Sequence, residues 1–344
     1  MKLCLILAGA EDGGLENHVL TLCNRFAGQH QVTLLAHKKY ARRLDAGVQL
    51  IPMPMSLGRR NPWLLLRLLV SLKRVAPDLI HAHGNKATSL LAALKPLLTT
   101  PCIGTVHSQK RNLSMFEKMD GVIGVSNGVL EPVQHSLKKV IYNGVDKFSG
   151  TPLDRNQLLS EWQLPADKPL CLAVGRLVPV KAYDVLIRAW KNKDASLVIV
   201  GDGPEQLRLE KIITTLGLQQ QVKLVGYRSD VQAILPAAQV LAISSQREGF
   251  SLVLVEALLA GVGVVSTCVA GSREILPRDC LCPVGDVAAL SAALDRALAN
   301  PEWLAVEYFD VFSFARECLT TDAMVHHTAG YYDQILRFCA VTRQ

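Results

Sequence analysis

Short runs rich in valine, isoleucine and leucine alternate with longer amphipathic segments along the whole sequence. Unbroken apolar runs of this length suit strands buried on both faces, and the segments between them are long enough to be covering helices. Strands joined through such crossovers run parallel. They are predicted at 3–7, 32–36, 48–51, 79–82, 103–106, 122–125 and 140–142, and the count begins again at 170–174, 197–200, 222–225, 240–243 and 264–267. The expected fold class is therefore α/β, with two Rossmann-like doubly wound parallel-sheet domains facing a cleft.

Between the two series, residues 143–169 break the rhythm with Gly144, Gly150, Pro152, Pro165 and Pro169, which places the linker there. A first domain is expected at 1–160 and a second at 161–312. At 344 residues, each half can bury its own core. A composition of 49% hydrophobic and 19% charged residues excludes a disordered or fibrous chain. No apolar stretch reaches the roughly 18 residues of a membrane span. The opening MKLCLILAGA imitates a signal peptide, but its apolar run is short and reads as a first buried strand. Nine cysteines, scattered singly except for Cys280 and Cys282, indicate neither a disulfide framework nor a four-thiolate zinc site. A cytoplasmic location is expected.

Charge is unevenly shared. Residues 1–165 carry 20 Lys and Arg against 11 Asp and Glu, a balance of +9, whereas the remainder carries 17 against 19, a balance of −2. Basic pairs recur at Lys38-Lys39, Arg42-Arg43, Arg59-Arg60, Lys73-Arg74, Lys110-Arg111 and Lys138-Lys139. They suit a surface facing phosphates or anionic headgroups, or a generally solvated basic face. Nucleic acid is not expected as a partner, because no helix-turn-helix, finger or RNA-binding-sheet signature accompanies the charge.

Four segments offer chemistry. The first strand runs into Gly9-Ala10-Glu11-Asp12-Gly13-Gly14, a glycine turn before a helix that brings bare amides toward a phosphate or serves only as a tight connection. Gly175-Arg176 and Lys181 put two cations in the loop after the second domain's first strand, a pair suited to a diphosphate leaving group. Gly201-Asp202-Gly203-Pro204 likewise joins a strand to a helix. In Glu248-Gly249-Phe250-Ser251-Leu252, Ser251 is the expected N-cap, offering amides to an anion. Glu256 falls about one and a half turns into that helix among apolar residues, where an unpaired carboxylate is costly. Ribose hydroxyls, or a basic neighbour, would satisfy it.

The spacing Glu248-x7-Glu256, with Gly175-Arg176, Lys181, the 201–204 segment, Gly226-Tyr227-Arg228 and Gly13-Gly14, resembles the retaining GT-B glycosyltransferases of the family 4 group. The resemblance covers essentially the whole chain, including the stretches DLIHAH at 78–83, VSNG at 125–128 and YNGVD at 142–146. It implies transfer of a sugar from a nucleotide diphosphate donor, most often UDP-linked, with retention of configuration. Arg176 and Lys181 would hold the diphosphate, Glu256 the ribose, and the backbone near Arg228 the base. Glu248 and the amides of Gly249, Phe250, Ser251 and Leu252 would address the donor sugar and phosphates. Gly14 belongs to the donor-side glycine turn, and His107 matches the family's histidine facing the donor sugar. The family commonly has Gly after the Lys, whereas this chain has Ala182. The segment 313–344 is expected to be helical and to pack back on the first domain.

No D-x-D occurs in the sequence, so cations are expected to replace a metal, and no cofactor beyond the nucleotide-sugar co-substrate is expected. The expected acceptor is a glycan or lipid-linked saccharide, such as a lipopolysaccharide intermediate, met by the basic first domain. The run Trp63 to Arg74 reads as a membrane-surface helix, with peripheral contact on anionic membrane at the cytoplasmic face, or as an ordinary sheet-covering helix. The alternatives are a nucleotide-sugar epimerase of the same architecture, a non-catalytic GT-B protein that binds sugar nucleotides, and an exported two-domain sugar-binding protein.

Overall fold

The computed structural model describes residues 1–9, 13–108, 110 and 112–342, and the chain divides into two compact units. One comprises Met1–Gly144 with Thr321–Gln344, the other Val145–Thr320. Ala10, Glu11 and Asp12 of the expected glycine turn, and Arg111 of a basic pair, lie outside the described residues.

The first unit is built on seven parallel strands, β1 (Lys2–Leu7), β2 (Gln31–Ala36), β3 (Val48–Pro52), β4 (Leu79–His83), β5 (Cys102–Val106), β6 (Gly121–Gly124) and β7 (Lys138–Val140). Their order is β3-β2-β1-β4-β5-β6-β7, so the winding reverses between β1 and β4. Side chains alternate across a strand, and β1 shows the consequence. Leu3, Leu5 and Leu7 face a core made with Val19, Leu22 and Phe26 of helix Gly14–Ala27 and with Tyr331, Tyr332 and Ile335 of helix Thr321–Thr342. Cys4, Ile6 and Ala8 face the opposite core, made with Leu64, Leu68 and Leu72 of helix Pro62–Val75 and with Leu90, Leu91 and Leu94 of helix Gly84–Leu94. Each such buried leucine contributes about 1.5–3 kcal/mol.

The second unit carries β8 (Leu170–Val174), β9 (Ser196–Val200), β10 (Val222–Leu224), β11 (Val240–Ile243), β12 (Gly263–Thr267) and β13 (Leu281–Cys282). The order β10-β9-β8-β11-β12-β13 reverses between β8 and β11, and all pairings are parallel. In both sheets the reversal point is where ligands of such folds bind, outside the carboxyl ends of the strands.

Three details differ from the sequence reading. The units divide at Gly144 and Val145, not at 160. The Leu153 amide donates to the Ala233 carbonyl at 2.9 Å, and the Arg155 guanidinium donates to the Ala166 and Lys168 carbonyls at 2.9 and 2.6 Å, which ties this stretch to the second unit. At the far end, residues 313–320 stay with the second unit, and the chain enters the first at helix Thr321–Thr342. Finally, β7 begins at Lys138, two residues before the predicted strand, so the Lys138-Lys139 pair lies on a sheet edge. Lys138 Nζ there donates to the Val133 and Leu130 carbonyls at 2.8 and 3.3 Å, which commits it locally.

Candidate active site

In the second unit, the loops leaving β8 and β11 sit at the reversal point. Gly175 follows β8 with φ 150°, and a Cβ at Gly201 would lie 2.0 Å from its carbonyl oxygen. That approach lets the Leu177 amide donate to the Asp202 carbonyl at 2.6 Å and the Gly175 amide to the Val200 carbonyl at 2.9 Å. The 201–204 segment thus braces the cation loop. Arg176 is exposed on it. Lys181 closes a 3-10 turn, Pro179–Lys181, and Ala182 follows in the left-handed region at φ 49°.

Three bonds lash this loop to the one after β11. The Gln246 amide donates to the Val180 carbonyl at 2.8 Å, Ser244 Oγ donates to the Lys181 carbonyl at 2.8 Å, and Lys181 Nζ donates to Glu248 Oε1 at 2.6 Å. Ser245 Oγ also donates to Glu248 Oε1, at 2.8 Å. Glu248 Oε2 has no bond from the described residues, so the carboxylate is held by one oxygen and presents the other. An ammonium has three donors, and Lys181 keeps capacity for a phosphate oxygen beside Glu248.

Gly249 and Phe250 are buried, and Ser251 occupies the N-cap position of helix Leu252–Leu259. The expected capping bond is not made: the Ser251 side chain accepts nothing from the first turn, although its extended backbone sets the helix start. Leu252 opens the helix, and the first-turn amides have no acceptor within it. Glu256 is its fifth residue. Burial pushes its carboxyl up to about 7, against a smaller downward pull from the Gln232 side chain. Arg228 is committed elsewhere: its guanidinium donates to both Asp230 oxygens at 2.9 and 2.8 Å and to Glu161 Oε1 at 2.7 Å. Only its backbone is left to address a base.

In the first unit, Gly14 is the exposed first residue of its helix. His107 follows β5 and belongs to a cluster of four imidazoles. His83 Nδ1 hydrogen-bonds His107 Nε2 at 3.3 Å, and the His18 ring stands edge-on to His107 at 4.8 Å between centroids. His81 stacks on His83 at 3.9 Å and is fixed at both nitrogens, Nδ1 to Tyr332 Oη and Nε2 to Thr105 Oγ1, each at 2.6 Å. Burial depresses all four, His18 to about 4 and His81 to about 3, with His83 and His107 well below the usual imidazole range. The cluster is neutral at neutral pH. Sequence reasoning selected only His107; His18 comes from a helix 89 positions earlier, and the His-x-His spacing of β4 was its one local signal.

Residues 154–306 match the family described as Glycosyl transferases group 1, and residues 12–147 match Glycosyltransferase Family 4. The lipopolysaccharide core biosynthesis glycosyltransferase LpsE of Rhizobium meliloti is 28% identical over 303 residues, covering 84% of this chain and 87% of that protein. LpsD of the same organism is 26% identical, over 88% and 89%. Anabaena HepE, solved in complex with UDP, superposes with a TM-score of 0.84 at 23% identity, over 97% of this chain and 100% of that one. The two family matches run over both units, each unit is built on a parallel sheet, and the matching relatives are named as glycosyltransferases, so the chain belongs to the family 4 group of GT-B glycosyltransferases.

Proposed function

We propose that the protein transfers a sugar, with retention of configuration, from a UDP-linked donor to a lipopolysaccharide-core or related glycolipid acceptor. Support for the acceptor comes from LpsE and LpsD, both named for lipopolysaccharide core biosynthesis, and support for the nucleotide from HepE, solved with UDP. Arg176, Lys181 and the amides opening helix Leu252–Leu259 neutralise the departing diphosphate without a divalent metal. Glu248 meets the donor sugar, Glu256 accepts from the ribose hydroxyls, and the backbone at Arg228 meets the base. The bond from the sugar carbon to the diphosphate breaks, the acceptor hydroxyl oxygen bonds that carbon on the same face, and its proton passes to the departing phosphate. His107 assists at the donor sugar.

The observation that carries this reading is Glu256, a largely buried carboxyl in the apolar helix Leu252–Leu259 that follows the loop of Glu248, where a polar ligand offering hydroxyls relieves its burial. Calorimetric titration with UDP, GDP and ADP in excess EDTA tests it. Selective binding of UDP, weakened at least about tenfold by Glu256→Ala, is expected, because the variant loses charge-assisted bonds. Absence of binding at millimolar nucleotide would overturn the reading in favour of a non-catalytic protein, and turnover of UDP-sugar to its epimer without acceptor would favour the epimerase.

A surface feature bears on the acceptor. Helix Pro62–Val75 buries Leu64, Leu68 and Leu72 but leaves Trp63, Leu66 and Val70 52%, 58% and 57% exposed. Arg59, Arg60, Arg67, Lys73 and Arg74 surround that stripe, all exposed. An apolar stripe rimmed by cations supports peripheral contact with an anionic bilayer, where a lipid-linked acceptor resides.

A further inference from the structure

We propose that His18, His83 and His107 together bind one borderline divalent transition-metal ion, zinc being the best match. One nitrogen from each ring lies within 4.8 Å of the other two. A point within about 2.8 Å of all three therefore exists, and drawing each nitrogen in by about 0.7 Å gives the usual Zn–N bond of about 2.05 Å. One pair needs no adjustment. The 3.3 Å between His83 Nδ1 and His107 Nε2 is the spacing of two nitrogens on one tetrahedral ion.

The polar groups themselves point to an occupant. His18 Nδ1 is buried without a hydrogen bond among the described residues, and His83 meets His107 through Nδ1, the nitrogen it would turn to an ion. His81 is excluded as a ligand because Tyr332 and Thr105 occupy both its nitrogens. Its role is to brace His83 from behind, as groups outside the ligand set usually do in metal sites. His18 and His83 are buried while His107 is only half-buried, which gives the ion a way in and leaves a fourth position for water. Imidazole-only donors favour zinc, copper or nickel over magnesium or calcium. Where His107 meets the donor sugar, as proposed above, an ion held there withdraws its nitrogen and suppresses transfer; this consequence rests on that reading, whereas binding does not.

The test uses the purified full chain, stripped of metal and titrated with zinc chloride by calorimetry and with cobalt(II) by visible absorption. One ion per chain is expected, with a cobalt spectrum free of thiolate charge transfer. His18→Gln and His83→Gln, checked for an unchanged thermal melt, should each weaken binding on the order of 100-fold, since loss of an outer-shell partner alone already costs 10–100-fold. X-ray absorption of the zinc-loaded wild-type chain counts the imidazoles directly and needs no variant. Three are expected. No binding below millimolar zinc, unchanged affinity in the folded variants, or sulfur in the coordination shell would overturn the site. UDP titration of the same protein reports the donor reading separately, so either result can fail without the other.

Discussion

Lys181 and Glu248, 67 residues apart in sequence, meet at 2.6 Å between Nζ and Oε1, with side chains 22% and 16% exposed. The pair joins the two loops at the reversal point of the second sheet and fixes a cation and an anion side by side. Removing either partner should therefore separate two functions. Lys181→Met is expected to weaken UDP binding at least about tenfold, a lost charge-assisted bond being worth about 1.5–3 kcal/mol. Glu248→Gln keeps an acceptor for Lys181 and should change UDP affinity by less than about threefold while lowering kcat on the order of 100-fold. Calorimetry beside a steady-state transfer assay measures both, and equal losses of affinity in the two variants would contradict the division of labour.

Glu256 sets a pH dependence of known sign. Burial pushes its carboxyl up to about 7 from an ordinary 4.5, so between these values the native state holds a proton that the unfolded chain has released. Stability from this group is full below 4.5 and is lost as pH rises through 7. UDP binding should run the other way, since ribose hydroxyls donate best to the carboxylate. Affinity is expected to rise about tenfold from about pH 6 to 8, with proton release at the lower pH. Calorimetry in buffers of different ionisation enthalpy measures that proton, and Glu256→Gln should remove it while leaving the contribution of the nucleotide's own phosphate. Identical proton release in both proteins would sink the assignment.

The parallel sheets were legible because strands buried on both faces leave an unmistakable apolar signature. Cys4 and Leu5 belong to opposite cores, and no alternation hides the run. The strand Leu281–Cys282, only two residues long, left no pattern to read. The place where the units divide was less legible, because Pro152 and Gly150 mark irregular chain without saying which core it joins; the Leu153 to Ala233 bond decides that. Candidate site residues could be proposed from sequence where chemistry is local, as in the loop of Arg176 and Lys181. They were less readable where groups come together from distant elements: His107 could be singled out, but its neighbours His18, from a helix, and His83, from β4, could not. Ser251 shows a third case: the right residue stands at the helix start, yet its side chain makes no cap.

Ala182 stands where a glycine would be at ease. Its φ of 49° lies in the left-handed region, which costs an L-residue about 1–2 kcal/mol. Ala182→Gly relieves that cost but adds about 0.4–1 kcal/mol of unfolded-chain entropy and loses a buried methyl, so stability should stay within about 1 kcal/mol of the parent. Ala182→Val, with a branched Cβ in the same conformation, should lose about 2 kcal/mol or more. Urea unfolding of the three proteins decides it; a valine variant as stable as the parent would show that the loop relaxes freely.

Tyr332 should stabilise the first unit through a single hydroxyl. Its bond to His81 Nδ1 is 2.6 Å long and wholly buried, and it links the C-terminal helix to β4. Tyr332→Phe leaves the imidazole nitrogen unsatisfied and is expected to cost about 1–3 kcal/mol. Chemical denaturation measures this, and a phenylalanine variant at full stability would mean that Thr105 alone holds the ring.

The exposed face of helix Pro62–Val75 carries the last prediction. Asn61 caps it by accepting from the Leu64 amide at 3.1 Å, Pro62 starts it, and Ala76 ends it in the left-handed region, so the helix is set by its own sequence. Its apolar face is covered at Leu64, Leu68 and Leu72, and that burial suffices to dock it. Trp63, Leu66 and Val70 are more than half exposed, and the Arg67 guanidinium lies 5.0 Å from the Trp63 ring centre, so a cation sits beside the stripe. Vesicles containing phosphatidylglycerol should carry the protein upward in a flotation gradient at low salt and release it at high salt, since each cation near the surface contributes about 1 kcal/mol that ions screen. The triple variant Trp63→Ser, Leu66→Ser, Val70→Ser should stay at the bottom at either salt while melting at the same temperature. Flotation of the variant equal to that of the parent would leave the charge alone responsible, and a parent that never floats would make the stripe an ordinary surface.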